Sequence, residues 1–167
     1  MKRALLCLLW AAPAWTAPPP LDPADPAWSQ APAIAATLYP QSTVPGGPGG
    51  APLTLEARRL EGDGLWAVRL TWPDAVEDRL DARATHRFAD AMAVQFAPPD
   101  GPLPYVGMGE PGRAVRLWYW RAGGPVDRLS AQGFGSLARE AGPAPEARAT
   151  RTATGWTLVL RGAAEPA

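Results

Sequence analysis

The sequence predicts an all-β sandwich, immunoglobulin-like or jelly-roll-like, with an extended Pro/Gly-rich N-terminal arm. Three observations predict it. Two runs of alternating apolar and polar residues flank the turn signal Glu61-Gly62-Asp63-Gly64, the pattern of a β-hairpin. The segment from Val115 to Trp120 carries bulk on both faces, as a central strand does. No long stretch follows a helical apolar period, so the core has to be built from sheets.

Taken in order, the chain opens with basic Met1-Lys2-Arg3, an apolar run from Ala4 to Ala12, and the small-x-small pattern Ala12-Pro13-Ala14. That is the layout of a cleavable signal peptide over 1–14, leaving a mature chain that begins at Trp15 in the periplasm. The run is too short to span a bilayer, which takes about 20 apolar residues, and no later segment approaches that length. Residues 15–52 are rich in Pro, Ala and Gly, including Pro18-Pro19-Pro20, and cannot be mainly helical. They read as an arm that packs across the domain through Trp28, Ile34 and Leu38, or stays partly disordered.

The sandwich itself is expected over 53–167. Leu53, Leu55 and Ala57 alternate with Thr54, Glu56 and Arg58, and Trp66, Val68, Leu70 and Trp72 alternate with Ala67, Arg69 and Thr71. Pro73-Asp74 ends that hairpin, and polar residues follow to Arg87. Phe88, Asp90, Met92, Val94 and Phe96 alternate with small or polar neighbours and give a strand starting near Ala91. Val115 to Trp120 is the next strand. Gly123 to Pro145 reads as loop, and Arg148 to Thr154 with Trp156 to Arg161 as a last hairpin, for about six strands in all.

The 16 basic and 16 acidic residues balance, and no basic stripe exists, which argues against nucleic-acid binding. Cys7, within the leader, is the only cysteine, so the mature chain has no disulfide, no thiolate site and no C-x-x-C-H haem attachment. Hydrolytic chemistry finds little support: one histidine, no nucleophile elbow, and carboxylates (Asp74, Asp90, Glu110) whose spacing demands no pairing. Trp66, Trp72 and Trp156 fit inner faces. Trp118 and Trp120 share a side that could face haem, a sugar ring or the second sheet.

Met108 stands out because Gly107 and Gly109 flank it in a loop without apolar periodicity. A thioether so placed is either a gap filler or a soft metal ligand, with glycines allowing backbone to approach a flat cofactor.

Four ordered patterns carry a resemblance: Trp72-Pro73-Asp74, Phe88 to Phe96, Met108-Gly109, and Val115 to Arg121-Ala122. The order resembles that of the haem b-binding γ subunits of periplasmic molybdenum enzymes, the ethylbenzene dehydrogenase, dimethylsulfide dehydrogenase, selenate and chlorate reductase group. The resemblance implies a β-sandwich that holds non-covalent haem b at its edge and transfers electrons without being an enzyme itself. Its implied partners are a molybdenum-cofactor catalytic subunit, an iron-sulfur subunit and a soluble cytochrome. Met108 becomes the implied axial ligand to haem iron, with Gly107 and Gly109 beside the cofactor. The family's second ligand is a lysine near the C-terminus, and Lys2 is the only lysine here. Arginine cannot replace it, because the guanidinium stays protonated and has no lone pair to give. Three states stay open: haem with an open or water-filled sixth position, His86 as second ligand, or a haem-free interaction module. A carbohydrate-binding module remains the alternative from another class.

Overall fold

The computed structural model describes residues 14, 15, 17–40, 51–81, 88–98 and 100–163. The first thirteen residues of the expected leader, and His86, lie outside them. Among the described residues ten strands form: β1 (Ala14–Trp15), β2 (Ile34–Leu38), β3 (Leu53–Gly62), β4 (Leu65–Pro73), β5 (Ala91–Phe96), β6 (Val115–Arg121), β7 (Asp127–Ala131), β8 (Ala138–Arg139), β9 (Glu146–Arg151) and β10 (Gly155–Ala163). One 3₁₀ helix covers Pro26–Gln30, capped by the Asp25 carboxylate, which accepts from the Ala27 N–H. Among the described residues no helix is long and apolar enough to cross a membrane.

The strands divide into two sheets, as the sequence predicts. One runs β1-β3-β4-β10-β9, with β2 also on β3; the other runs β5-β6-β7-β8. The first hairpin turns at Asp63-Gly64, both with positive φ, the conformation a two-residue hairpin loop needs. Register puts Trp72 opposite Trp156 and Leu70 opposite Leu158, so β4 and β10 turn their large side chains to one face.

That face meets Trp118 and Trp120 of β6 in the main core. These two tryptophans are only 1% and 7% exposed, so the wet stacking surface that sugar binding would need is absent from this strand. Rings cross the interface in two chains: Trp66, Phe96 and Trp118 at centroid spacings of 5.7 and 4.7 Å, and Trp72, Trp120 and Trp156 at 6.1 and 5.2 Å. Gly162 makes room for this. A Cβ there would lie 2.8 Å from Cζ2 of Trp118.

The arm is an integral part of the fold. β2 pairs antiparallel with the start of β3 and β1 parallel with its end, so one segment occupies that edge twice. Between them Trp28, fully buried, packs with Leu60, Ala67 and Val159 on the outer face of the larger sheet. Its indole Nε1 donates to the Asp22 carbonyl at 2.9 Å, satisfying the one polar group it buries.

The loop expected over 123–145 contains β7 and β8. Their alternation is hard to read because Arg128 shares its face with Trp118, the residue opposite it. Arg128 Nε and Arg116 Nε instead hold the Glu140 carboxylate at 2.9 Å each. An ion-paired face hides a strand from hydrophobic periodicity. Burial works to raise the pKa of Glu140, but the hydrogen bond from Arg128 and the charges of Arg116 and Arg128 outweigh it and hold the carboxyl below its ordinary range.

Trp28→Ala should cost about 3–5 kcal/mol of stability, the usual price of emptying a buried aromatic site. Urea denaturation of the folded chain reads this directly. A loss under about 1 kcal/mol would mean that the arm is not part of the cooperative unit.

Candidate functional site

The long excursion from β5 to β6 crosses the outer face of the smaller sheet and carries Met108. Under it lie Val115, Leu117, Leu129 and Ala131, an apolar cluster against which half-buried Met108 packs. Val115, Leu117 and Tyr119 point outward because Trp118 and Trp120 point inward; alternation on β6 serves both layers.

The backbone of Met108 has a φ of +73°, the left-handed region that a bulky residue enters at a cost of about 1–2 kcal/mol. Its surroundings enforce that conformation. The Met108 N–H donates to Val106 O (3.1 Å), the Gly109 N–H to Tyr105 O (3.0 Å), and the Gly133 N–H to Met108 O (2.8 Å). Gly109, also left-handed at +77°, lies so close to the sheet that a Cβ would come 2.9 Å from the carbonyl oxygens of Ala131 and Arg113. Gln95 Nε2 donates to Val106 O at 3.2 Å, and the Gly112 N–H to Gln132 Oε1 at 3.1 Å. The methionine loop is therefore tied to both β5 and the 132–136 turn. Strain held in place by its surroundings is the kind found at functional sites.

The two glycines beside Met108 approach protein. Gly109 meets the backbone of β6 and β7, and Gly107 lies under the rings of Tyr105 and Phe134. Around them apolar side chains are exposed: five of the ten large hydrophobic residues exposed among the described residues, Leu103, Tyr105, Val106, Phe134 and Leu137, belong to these two loops. Phe134 and Leu137 lie in a stretch that reads only as loop, without periodicity, so their exposure is not legible in the sequence.

Glu110, one of the sequence's carboxylate candidates, closes the turn after Met108 by bonding Arg113, side chain to side chain at 3.2 Å and backbone to backbone. Asp74 and Asp90 come together elsewhere. Asp90 Oδ2 accepts from Trp156 Nε1 (2.9 Å) and the Asp78 N–H (3.0 Å), and Asp90 O accepts from the Ala122 N–H (2.8 Å). This carboxylate fastens one sheet to the other. Burial, and then the neighbouring Asp90, raise the pKa of Asp74, against the Val76 N–H and the charge of Arg151. Among the described residues no group of three or more His, Cys, Asp or Glu comes together to hold a metal ion. The chemistry available at Met108 is that of a soft thioether donor in an apolar setting.

No family model matches the chain. It is 30% identical over 145 residues to a Haloferax mediterranei protein named as a respiratory nitrate reductase heme subunit (ORF7), an alignment covering 84% of this chain and 51% of that one. It is 35% identical over 109 residues to the chlorate reductase subunit gamma of Ideonella dechloratans, covering 64% and 44%. The chain spans about half the length of these curated relatives.

Two outcomes follow from this geometry. Gly109→Ala should lose about 1–3 kcal/mol through overpacking and left-handed strain, measured by thermal unfolding; an unchanged midpoint would mean the loop does not dock as described. Asp74 has a folded pKa above its unfolded value of 3.8. Its protonation therefore stabilises the fold fully below that pH, and the contribution is lost as pH rises through the folded value. Asp74→Asn stays uncharged and keeps an acceptor for Val76, so it should gain stability relative to the parent chain on going from pH 3 to pH 7. Urea titrations at the two pH values decide this, and a gap that closes or reverses refutes the coupling.

Proposed function

We propose that this chain is a haem-binding, electron-transferring accessory subunit of a reductase complex, with Met108 as an axial ligand to the iron. The observation that carries the reading is Met108 itself, a thioether held left-handed and half-buried at the centre of an exposed apolar surface. The names of the relatives, a heme subunit of a nitrate reductase and a gamma subunit of a chlorate reductase, support it. Haem, when bound, supplies one-electron chemistry, and a thioether ligand favours the ferrous state and raises the potential.

The chain's own residues do the rest. Gly109 and the Gly133 N–H hold the Met108 backbone against the sheet. Val115, Leu117 and Leu129 supply a dry floor beneath its side chain. A second donor to the iron, if the haem takes one, would be water or His86, which lies outside the described residues; arginine would not serve, because its guanidinium has no lone pair to give. We further propose a non-covalent b-type haem, export to the periplasm by a cleavable leader over residues 1–14, and assembly with a molybdenum-cofactor catalytic subunit and an iron-sulfur subunit. These rest on the ordered motifs and on the absence of any cysteine after Cys7.

The test is optical. Haem-supplied protein should give a b-type pyridine haemochrome at one haem per chain, and Met108→Leu, which keeps the apolar packing and removes the sulfur, should lose most of that haem while leaving unfolding nearly unchanged. Failure to bind haem at any supply would leave the exposed apolar loops as a protein-docking surface and sink the electron-transfer role.

A further inference from the structure

Tyr105 and Phe134 come from different loops and meet edge to face, with ring centroids 6.3 Å apart and planes at 71°. Between them lies Gly107, the residue just before Met108. A Cβ on it would stand 2.6 Å from Cε1 of Tyr105 and 3.1 Å from Cζ of Phe134. A side chain here would push the exposed Tyr105 ring away from Phe134. The clasp is also fixed from below: the Gly133 N–H holds Met108 O, and Ser136 Oγ donates to Gly133 O while accepting from the Gln132 N–H, at 2.6 Å each. The turn that carries Phe134 and the loop that carries Met108 thus move as one piece.

Despite this, the rings are not used to fill the core. Tyr105 is 56% exposed, Phe134 79%, and Val106 beside them 82%. Leu117 and Leu129, a few ångströms of sheet away, are buried. Aromatic faces held in water by a rigid backbone, next to a strained thioether, form a surface awaiting an apolar occupant.

We propose that Tyr105 and Phe134 form the contact wall for the flat, apolar face or edge of a metalloporphyrin bound by Met108, and that they position that ligand. This inference rests on the haem reading of Met108. The occupant class follows from the chemistry around it. A thioether selects a soft or borderline metal, and no His, Cys, Asp or Glu trio stands among the described residues to complete a free ion's coordination. A metal that brings its own planar ligand suits a site with one soft donor, and paired aromatic rings suit a planar π-surface. A wall beside the bound porphyrin would also keep water from the metal–sulfur bond, which holds the potential up.

The experiment is a titration of haemin into the purified full-length chain, followed at the Soret band, with the midpoint potential of each complex and the thermal unfolding of each ligand-free protein. The variants are Phe134→Ala, Tyr105→Ala, Phe134→Leu, Tyr105→Phe and Met108→Ala. Phe134→Ala and Tyr105→Ala should each weaken haemin binding roughly tenfold or more and lower the potential, without moving the ligand-free unfolding midpoint. Tyr105→Phe should behave as the parent, and Phe134→Leu should recover part of the affinity. Should haemin bind in a Met108-dependent way while both alanine variants keep the parental affinity and potential, the wall is refuted and the ligand assignment survives. Parallel losses of affinity and ligand-free stability in both variants would mark the pair as structural and also overturn the proposal. If the parent chain takes up no haemin, or Met108→Ala takes it up equally, the ligand reading itself falls and this inference with it.

Discussion

Everything in this molecule hangs on Trp118 lying flat enough against β10 to need a glycine beneath it. Its ring passes within van der Waals reach of Gly162, and Phe96 packs on it at 4.7 Å. Trp120, two residues on, bridges Trp72 and Trp156 of the opposite sheet. Large rings bury much apolar area at low conformational cost, and edge-on contacts add to it. In a sequence with a single cysteine, these rings do much of the joining of the two sheets. The indole of Trp156 adds a polar fastening through Asp90, which ties the entry of β5 to the start of β10.

An inner face so filled fixes what happens outside. With Trp118 and Trp120 turned inward, alternation sends Val115, Leu117 and Tyr119 outward, and in the larger sheet it sends Leu60, Ala67 and Val159 out likewise. Both sheets therefore present an apolar outer patch that has to be covered. The N-terminal segment covers one with Trp28. The β5–β6 excursion covers the other with Met108. The two coverings differ in completeness. Trp28 is fully enclosed and its N–H satisfied, whereas the methionine loop leaves aromatic and aliphatic surface in water on either side of its strained centre. That contrast separates a closed covering from one that leaves apolar side chains in water.

Much of the fold is legible from residue order alone. The Asp63-Gly64 hairpin, the strand beginning at Ala91, the two-faced β6 and the closing hairpin follow from period-two patterning and turn chemistry, which are local. β7 escapes that reading because Arg128 occupies a face where an apolar residue would be expected and is held there by Glu140, a partner twelve residues on. β2 escapes it because its flanking prolines and alanines look like linker until β3 offers an edge. Its hydrogen bonds, not its side chains, place it.

By itself the sequence determined which residue types were available: one histidine, a single cysteine and a single lysine near the start, and a methionine between glycines. Those are matters of composition and neighbourhood. Only the tertiary structure decided that Trp118 and Trp120 are core instead of a wet platform, and that Asp74 meets Asp90. It alone decided, too, that Phe134 stands beside Tyr105 over Gly107. Each of these joins residues distant along the chain, and no local period encodes a distance across two sheets or between two loops.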